Sequence, residues 1–329
     1  MKRALLFAFL AIALLLTSCG QNLASLEEPK ETKETVDSTK KETKEEVKKE
    51  TKEEKPAIMQ EGDPKEDDVV NVLMIGNSGC YYYVEELYGV AKAAGINMKV
   101  CNLYYSGCPM EKHWTWWKQN ESNYQYFVTN ERGRMKYENY SLKKALSCEN
   151  WDMISLQEAF SPNKAKDRDL SFSCDAYVKD LLEYLREQFP QSEFFWHQTW
   201  SYEVGYDRDN GVIDSPEAQE AHHQTVRDVA LHLCEKYNLT RIPVGDAWQI
   251  ARKNPAVGDV LCHKKGAVGD FLHDGDTGGG QYLNACVWFE VLTGQSCIGN
   301  TWRPEYDLSE AKIAQLQNAA HEAVLAAKG

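Results

Sequence analysis

The sequence lacks several features that would each indicate a common class of protein. Its ten cysteines include no pair at C-x-x-C spacing, which argues against zinc ribbons and thioredoxin-like redox motifs. No basic segment with interleaved aromatic residues occurs, and 50 acidic against 37 basic side chains give a formal net charge of −13. Nucleic acid is therefore not an expected partner. We also expect no cofactor and no bound metal.

A long apolar run is absent as well. Residues 4–16 are apolar and follow Lys2 and Arg3, but a membrane-spanning helix needs about 20 apolar residues. A short apolar run behind positive charge is typical of an export signal. The next segment, "LTSC" at residues 16–19, looks like a bacterial lipobox, in which Cys19 would be lipidated. An ordinary secretory peptide, cut nearby, is the alternative.

Residues 27–55 lack aromatic side chains and consist almost entirely of Lys, Glu and Thr. Such a segment buries too little apolar area to offset its chain entropy, so we expect a solvated tether or a single charged helix, a spacer in either case. We divide the chain into a lipoprotein signal peptide (residues 1–19), a disordered tether (20–67) and one α/β domain (68–329). The protein would be extracytoplasmic, anchored to the membrane through lipid on Cys19. Nine cysteines would then remain, an odd number, so at least one thiol would lack an intramolecular partner.

Short apolar runs alternate with helical periodicity along the proposed domain. We expect strands at residues 70–75, 97–103, 151–157, 193–199 and 241–245. This alternation predicts a parallel sheet covered by helices on both faces, with functional sites at the carboxyl ends of the strands. Asp307, three residues before Glu310, resembles a capping box at the start of the last helix.

Residues 111–140 interrupt this alternation with a cluster of aromatic side chains that includes Trp114. Most of these rings would cap the sheet, because aromatic surface is costly to leave exposed. The second interpretation is a stacking surface for sugar rings or another flat substrate. We therefore treat Trp114 as a candidate substrate-binding residue.

The first predicted strand ends in Gly-Asn-Ser-Gly, which places Ser78 in a small polar turn. A serine nucleophile needs a histidine base, and the base needs an orienting acid. His273 has Asp270 three residues upstream in a glycine-rich loop, whereas the similarly spaced Glu220 and His223 belong to a predicted helix. A metal site or a plain cluster of Asx turns is the alternative for this loop.

Acyl transfer also needs donors for the developing oxyanion. Gly107, in "YYSGCP" after the second strand, offers an unobstructed backbone N–H. Gln157, in "SLQEA" after the third strand, offers a side-chain amide.

A serine after strand one, a glycine after strand two, an amide after strand three and a late Asp-x-x-His together resemble the SGNH (GDSL-like) hydrolases. The chain is more similar still to an SGNH-like family of exported bacterial proteins described as a domain of unknown function. The motifs that carry this resemblance are "IGNS" at 75–78, "NLYYSG" at 102–107, "SLQ" at 155–157, "WHQTW" at 196–200, the segment 242–252 and "YLNACVWFE" at 282–290. The resemblance implies a three-layer α/β sandwich with a central five-stranded parallel sheet, the flavodoxin-like fold of SGNH hydrolases.

The resemblance also implies roles for individual residues. Ser78 would be the nucleophile and its backbone N–H the first oxyanion donor, Gly107 the second donor, and Asp270 and His273 the rest of the triad. Asn77 stands where the superfamily usually has aspartate. The superfamily's Gly-x-Asn-Asp block is absent, so Gln157 would have to replace its asparagine.

An alternative register places Asp274 and Thr277 at the triad positions, which would leave the protein without a catalytic histidine.

We therefore expect a surface-anchored serine esterase that removes O-acetyl or similar short acyl groups from carbohydrate. The alternative is a non-catalytic glycan-binding lipoprotein on the same scaffold. Asn77, His197 and Trp114 are candidate substrate-binding residues, although His197 could equally satisfy a buried hydrogen bond. Cys80, close to Ser78, is expected to be a small buried hydrophobic residue. An acylated small molecule or glycan and the membrane would be the partners of a monomer. Metal-dependent hydrolysis through His222, His223 and the aspartate cluster around Asp274 and Asp276 is a third hypothesis, which lacks any recognised ligand spacing.

Overall fold

The computed structural model describes residues 68–158, 160, 174–208, 211–254, 257 and 278–329. The predicted signal peptide, the tether and Cys19 lie outside these ranges. The strands of the described part are β1 (Val70–Gly76), β2 (Met98–Tyr104), β3 (Tyr124–Asn130), β4 (Gly133–Tyr140), β5 (Met153–Leu156), β6 (Glu193–His197), β7 (Tyr206–Arg208), β8 (Gly211–Ile213) and β9 (Thr240–Ile242). Its α-helices are α1 (Val84–Ala93), α2 (Met110–Gln119), α3 (Leu142–Leu146), α4 (Asp175–Gln188), α5 (Pro216–Tyr237), α6 (Val244–Arg252), α7 (Gly280–Thr293) and α8 (Glu310–Lys328).

The central sheet has seven strands in the order β4-β3-β2-β1-β5-β6-β9. Strands β2, β1, β5, β6 and β9 are parallel, in the doubly wound order that flavodoxin-like folds share. The predicted α/β class and the five parallel strands are confirmed. The sheet is larger than predicted, because β3 and β4 extend it as an antiparallel hairpin. A separate hairpin pairs β7 with β8.

Strand β1 shows why the parallel strands read as continuous apolar runs. Val72 and Met74 belong to the core on one face of the sheet, while Leu73 and Ile75 belong to the core on the other. Because helices cover both faces, successive residues are all buried. The core that contains Val72 includes residues of α1, α6, α7 and α8, and the other core includes residues of α2, α4 and α5.

Helix α7 is buried along nearly its whole length. A helix that is apolar all round is typical of a protein core, and two of the polar side chains of α7 accept hydrogen bonds. Asn284 accepts a hydrogen bond from the Trp248 indole at 2.6 Å, and Glu290 accepts one from the backbone N–H of Cys297 at 2.7 Å. This helix follows the chain segment in which the triad histidine is predicted.

The hairpin of β3 and β4 lies within residues 111–140, the aromatic segment that interrupts the predicted alternation of strands and helices. Tyr126 and Tyr140 stack at 4.7 Å between ring centroids, and both are buried. The turn of the hairpin is closed by Asn130, whose side chain accepts a hydrogen bond from the N–H of Arg132 at 2.9 Å. Gly133 follows at a φ of 89°. Most of this segment therefore caps and extends the sheet.

The last helix differs from the prediction in its cap. Ser309, and not Asp307, is the N-cap residue of α8, because its side chain accepts a hydrogen bond from the N–H of Lys312 at 3.3 Å. A serine at this position provides the acceptor that the first turn of a helix requires.

In the described part of the chain, no helix combines the length and the apolar character needed to cross a bilayer. The cysteines of the described residues are free thiols, namely Cys80, Cys101, Cys108, Cys148, Cys174, Cys234, Cys286 and Cys297.

Candidate active site

The carboxyl ends of the parallel strands bring the predicted site residues to one edge of the sheet. Gly76 at the end of β1 is paired with Tyr104 at the end of β2. Ile75 is paired with Leu156 at the end of β5, which in turn is paired with Trp196 of β6. The turns that carry Ser78 and Gly107, and the strand ends that carry Gln157 and His197, therefore follow neighbouring strands at the same edge.

The turn after β1 holds Ser78 at the surface of a buried segment. Residues 78–80 form a single 3₁₀ turn, and the Asn77 side chain caps it by accepting a hydrogen bond from the N–H of Gly79 at 2.9 Å. Asn77, Gly79 and Cys80 are buried, whereas Ser78 is half-exposed. A serine displayed on a rigid turn at a strand end is the arrangement that a nucleophile requires.

Both glycines of this turn are needed because the side chain of Gln157 lies directly against it. A Cβ atom at Gly76 would stand 2.6 Å from Gln157 Oε1 and 2.7 Å from Cys80 Sγ. One at Gly79 would stand 3.1 Å from Gln157 Nε2 and 3.2 Å from Thr199 Cγ2. The small residues therefore make room for a neighbouring side chain, in addition to permitting a sharp turn.

Gln157 connects the end of β5 to the turn that carries Ser78. Its Oε1 accepts a hydrogen bond from the backbone N–H of Asn77 at 3.1 Å, and its Nε2 donates one to the carbonyl of Glu158 at 2.5 Å. The side chain is 1% exposed. These contacts hold the turn in place. The role predicted for Gln157 as an oxyanion donor would use the second N–H of the same amide, and it stays a prediction.

The loop after β2 lies against the turn that carries Ser78. The N–H of Tyr105 donates a hydrogen bond to the carbonyl of Gly76 at 3.4 Å. Asn77 Nδ2 donates one to the carbonyl of Cys108 at 3.0 Å. Between these contacts, Gly107 is exposed and has a φ of +62°, a left-handed conformation that favours glycine. A Cβ atom there would meet nothing within 4 Å, so the peptide of Gly107 lies open beside the turn of Ser78.

Glu158 is a site residue that the sequence pattern did not single out. It is buried, and its Oε2 accepts a hydrogen bond from the N–H of Met110 at 3.0 Å. Met110 is the first residue of α2, so a carboxylate from the end of β5 satisfies a free N–H at this helix start. The contact fixes the loop that contains Gly107. The acid after Gln157 in "SLQE" was the available signal.

His197 lies behind the turn in a buried aromatic environment. It is 1% exposed, and its ring centroid is 5.3 Å from that of Trp288. Its Nδ1 is 3.5 Å from the Tyr83 hydroxyl. Burial lowers the pKa of His197 to about 3, far below the range in which a general base works well. Of its two predicted roles, this environment favours the buried hydrogen bond over contact with substrate.

Cys80 is a buried thiol, as expected. Its sulfur accepts a hydrogen bond from Asn102 Nδ2 at 3.1 Å and lies 3.4 Å from the carbonyl of Asn77. Burial raises its pKa to about 12. Because the thiolate is the nucleophilic form of cysteine, Cys80 supports the turn and does not compete with Ser78.

Trp114 packs between α2 and α4. Its indole N–H donates a hydrogen bond to Asp180 Oδ2 at 3.0 Å, and its ring centroid is 5.7 Å from that of Tyr177. Both partners belong to α4, so these contacts give Trp114 a packing role. The predicted contact with substrate stays a prediction.

Asp270 and His273, together with Asp274 and Thr277 of the alternative register, lie outside the described residues. The triad is therefore still a prediction. The predicted triad residues belong to the chain segment between α6 and α7. Helix α7 starts at Gly280.

His222 and His223 have separate partners. His222 Nδ1 is 2.9 Å from the Ser201 hydroxyl, and His223 Nε2 is 3.3 Å from Asp246 Oδ1. Within the described ranges, no group of three or more His, Cys, Asp or Glu side chains converges as metal ligands would.

A half-buried serine follows the first parallel strand, an exposed glycine follows the second and an amide follows the third, in a sheet with the strand order of a flavodoxin-like α/β protein. Residues 71–323 match the family model described as "Domain of unknown function (DUF4886)", and the chain belongs to this family. This match confirms the resemblance, inferred from the motifs, to a family described as a domain of unknown function.

A solved structure supports the same conclusion. A DUF4886 family protein from Bacteroides uniformis is 28% identical and superposes with a TM-score of 0.67, covering 78% of this chain and 95% of its own. An acetyl xylan esterase matches with 10% identity and a TM-score of 0.43, covering 67% of this chain and 98% of its own. An extracellular lipase from Streptomyces rimosus matches with 12% identity and a TM-score of 0.42, covering 68% and 99%. The last two are too distant to inform activity. Among curated proteins, none matches this chain.

Proposed function

We propose that this protein is a serine esterase that removes O-acetyl or similar short acyl groups from carbohydrate, and that it works outside the cell membrane, anchored through Cys19. The observation that carries the proposal is the position of Ser78. It is the half-buried residue of an otherwise buried turn, and the loop that carries Gly107 is hydrogen-bonded to this turn through Tyr105 and Cys108. Acyl transfer requires a serine hydroxyl and donors for the developing oxyanion, and the backbone N–H groups of Ser78 and Gly107 are the donors that we propose.

In this mechanism Ser78 Oγ attacks the ester carbonyl, and His273, oriented by Asp270, takes the hydroxyl proton. The negative charge that develops on the carbonyl oxygen would be stabilised by the N–H groups of Ser78 and Gly107. The alcohol then leaves with the proton from His273, and water releases the acyl group by the same steps. The burial of His197 supports assigning the base to His273, because a histidine with a pKa of about 3 is a poor base at neutral pH.

The carbohydrate part rests on the aromatic side chains near the site and on the expected export of the protein, which is an argument by association. The lipid anchor rests on the lipobox-like "LTSC" that ends at Cys19.

Hydrolysis of p-nitrophenyl acetate by the purified protein tests the proposal. Ser78→Ala and His273→Ala should each fall to background, whereas Ser147→Ala, at the C-cap of α3, and His232→Ala, on α5, should keep the parent rate. An inert parent protein, or activity that survives His273→Ala, would overturn the assignment. A parent that is inert but binds glycan would instead support the glycan-binding alternative.

A further inference from the structure

Tyr105 presents an exposed aromatic ring in the loop that carries Gly107, the candidate oxyanion donor. Tyr105 is 36% exposed, an unusual exposure for an aromatic ring among the residues that the structure describes. Its backbone N–H is bonded to Gly76, and its carbonyl accepts a hydrogen bond from the N–H of Cys108 at 3.2 Å. The ring therefore projects from the same short loop that carries Gly107, next to the turn of Ser78.

The ring is held in a defined orientation by two neighbours on α2. Trp116 packs against it edge to face, with 4.7 Å between centroids and 90° between planes. Lys112 Nζ lies over the Tyr105 ring at 4.9 Å and over the Trp116 ring at 5.2 Å. Trp116 is itself fixed against the buried ring of Tyr124 at 5.1 Å. A ring supported in this way loses little freedom when it binds a ligand.

The chemistry of this group is amphipathic. A flat ring can contact the apolar face of a pyranose, and the ammonium group of Lys112 supplies up to three donors for hydroxyl groups. A site for a long acyl chain would instead be a concave apolar pocket. Here the ring stands beside the exposed Ser106 and Gly107 and the half-buried Lys112, which is a poor environment for a hydrocarbon chain.

We propose that Tyr105, supported by Trp116 and Lys112, is a stacking residue that binds a sugar ring of the substrate next to the scissile ester. The inference rests on the proposed esterase function and assigns its substrate class to a named surface. It also replaces Trp114, whose contacts are with α4, as the aromatic residue expected to meet the carbohydrate.

The experiment compares two esters that share the same acyl group. Triacetin has no ring, whereas O-acetylated xylo-oligosaccharides present pyranose rings, and acetate release is measured for both. Tyr105→Ala should raise KM for the oligosaccharide about tenfold and leave kcat and the triacetin kinetics near parent values. Tyr105→Phe keeps the ring and should restore the parent KM. Tyr88→Ala is the matched control, because Lys92 lies over that tyrosine in the same way, at 5.6 Å.

Calorimetric binding of the unacylated oligosaccharide gives a second readout that does not depend on catalysis. Binding that weakens about tenfold in Tyr105→Ala and persists in Tyr88→Ala would support stacking of a sugar ring on Tyr105. Unchanged KM and unchanged binding in Tyr105→Ala, with triacetin still hydrolysed, would overturn this inference alone. A parent protein that hydrolyses neither ester would overturn the proposed function, whatever the binding result.

Discussion

The side-chain oxygen of Gln157 accepts a hydrogen bond from the buried backbone N–H of Asn77, at 3.1 Å, and so joins the end of β5 to the turn of the candidate nucleophile. This single contact connects two neighbouring strand ends of the sheet. It makes the orientation of Ser78 depend on a residue that the sequence pattern assigned to a different role.

Gln157→Met, which keeps the length of the side chain and removes its hydrogen bonds, should therefore destabilise the fold as well as the turn. Leaving the N–H of Asn77 unsatisfied costs about 1–3 kcal/mol, and each kcal/mol lowers Tm by roughly 2–4 °C in a domain of this size. Thermal unfolding measures the effect. Gln295→Met, at an exposed glutamine, is the control. If Tm is unchanged while kcat falls about 10²-fold or more, Gln157 acts as an oxyanion donor and not as a support for the turn.

Gly76→Ala should be more destabilising than Gly79→Ala. The added methyl at Gly76 would stand 2.6 Å from Gln157 Oε1, whereas at Gly79 the nearest atom is 3.1 Å away. Overpacking of this kind costs about 1–3 kcal/mol, so Gly76→Ala should also displace Gln157. Denaturant unfolding of both variants gives the comparison. Equal free energies of unfolding for Gly76→Ala and Gly79→Ala would contradict this prediction.

Much of the fold could be predicted from the sequence because each parallel strand is a short apolar run buried on both faces. The β3–β4 hairpin could not be recognised in the same way, since its aromatic residues fit a loop that caps a sheet as well as a strand. Alternation at Tyr124, Tyr126 and Val128, followed by Gly133, was the available signal.

The candidate site was predicted in part. The strand ends place Ser78, Gly107 and Gln157 at one edge, because that position follows from strand order. The supporting contacts were not predictable, since a sequence pattern does not show which side chain fills the space above a glycine. Trp114 illustrates the same limit, because nothing in its sequence neighbourhood indicates that Asp180 would be its hydrogen-bond partner.

The carboxylate of Asp246 should make stability depend on acid pH. Burial alone would raise its pKa, but hydrogen bonds from His223, Arg241 and Gln198 hold the pKa well below the ordinary value of 3.8. A carboxyl group whose pKa is lowered by folding stabilises the protein at pH values above its pKa in the unfolded chain. This stabilisation is lost as the pH falls through its pKa in the folded protein. The Tm difference between the parent and Asp246→Asn should therefore be constant from about pH 7 to 5 and shrink below about pH 4. A difference that stays constant down to pH 2 would contradict this assignment.

Cys80 should be inert to alkylation in the folded protein. Its thiol is buried and its pKa is raised to about 12, so the reactive thiolate is scarce at pH 8. Iodoacetamide should leave ester hydrolysis intact, and mass spectrometry should detect alkylated Cys80 only after unfolding. Activity that persists in Ser78→Ala and is lost to iodoacetamide in step with alkylation of Cys80 would instead identify Cys80 as the nucleophile.

The acid limb of the pH–rate profile should identify which histidine is the base. His197 is neutral across the working range, because burial lowers its pKa to about 3. In His197→Gln, we therefore expect the apparent pKa of the acid limb in kcat/KM to stay where it is in the parent. If the acid limb moved in this variant, His197 would take part in the proton transfer and the triad through His273 would be wrong.

The same substitution should change how stability depends on pH. A histidine whose folded pKa lies below its unfolded value of 6.5 takes up its proton mainly in the unfolded state. The contribution of neutral His197 to the free energy of unfolding is therefore complete above about pH 6.5. It declines as the pH falls toward the pKa of His197 in the folded protein. Over that range the parent should lose stability more steeply than His197→Gln, by up to about 1.4 kcal/mol per pH unit. Denaturant unfolding at a series of pH values measures the two slopes, and equal slopes would mean that His197 is not held neutral by burial. A shallower slope in His197→Gln, together with an unchanged apparent pKa of the acid limb, would assign His197 a role in the core. The general base would then remain His273, in the chain segment before α7.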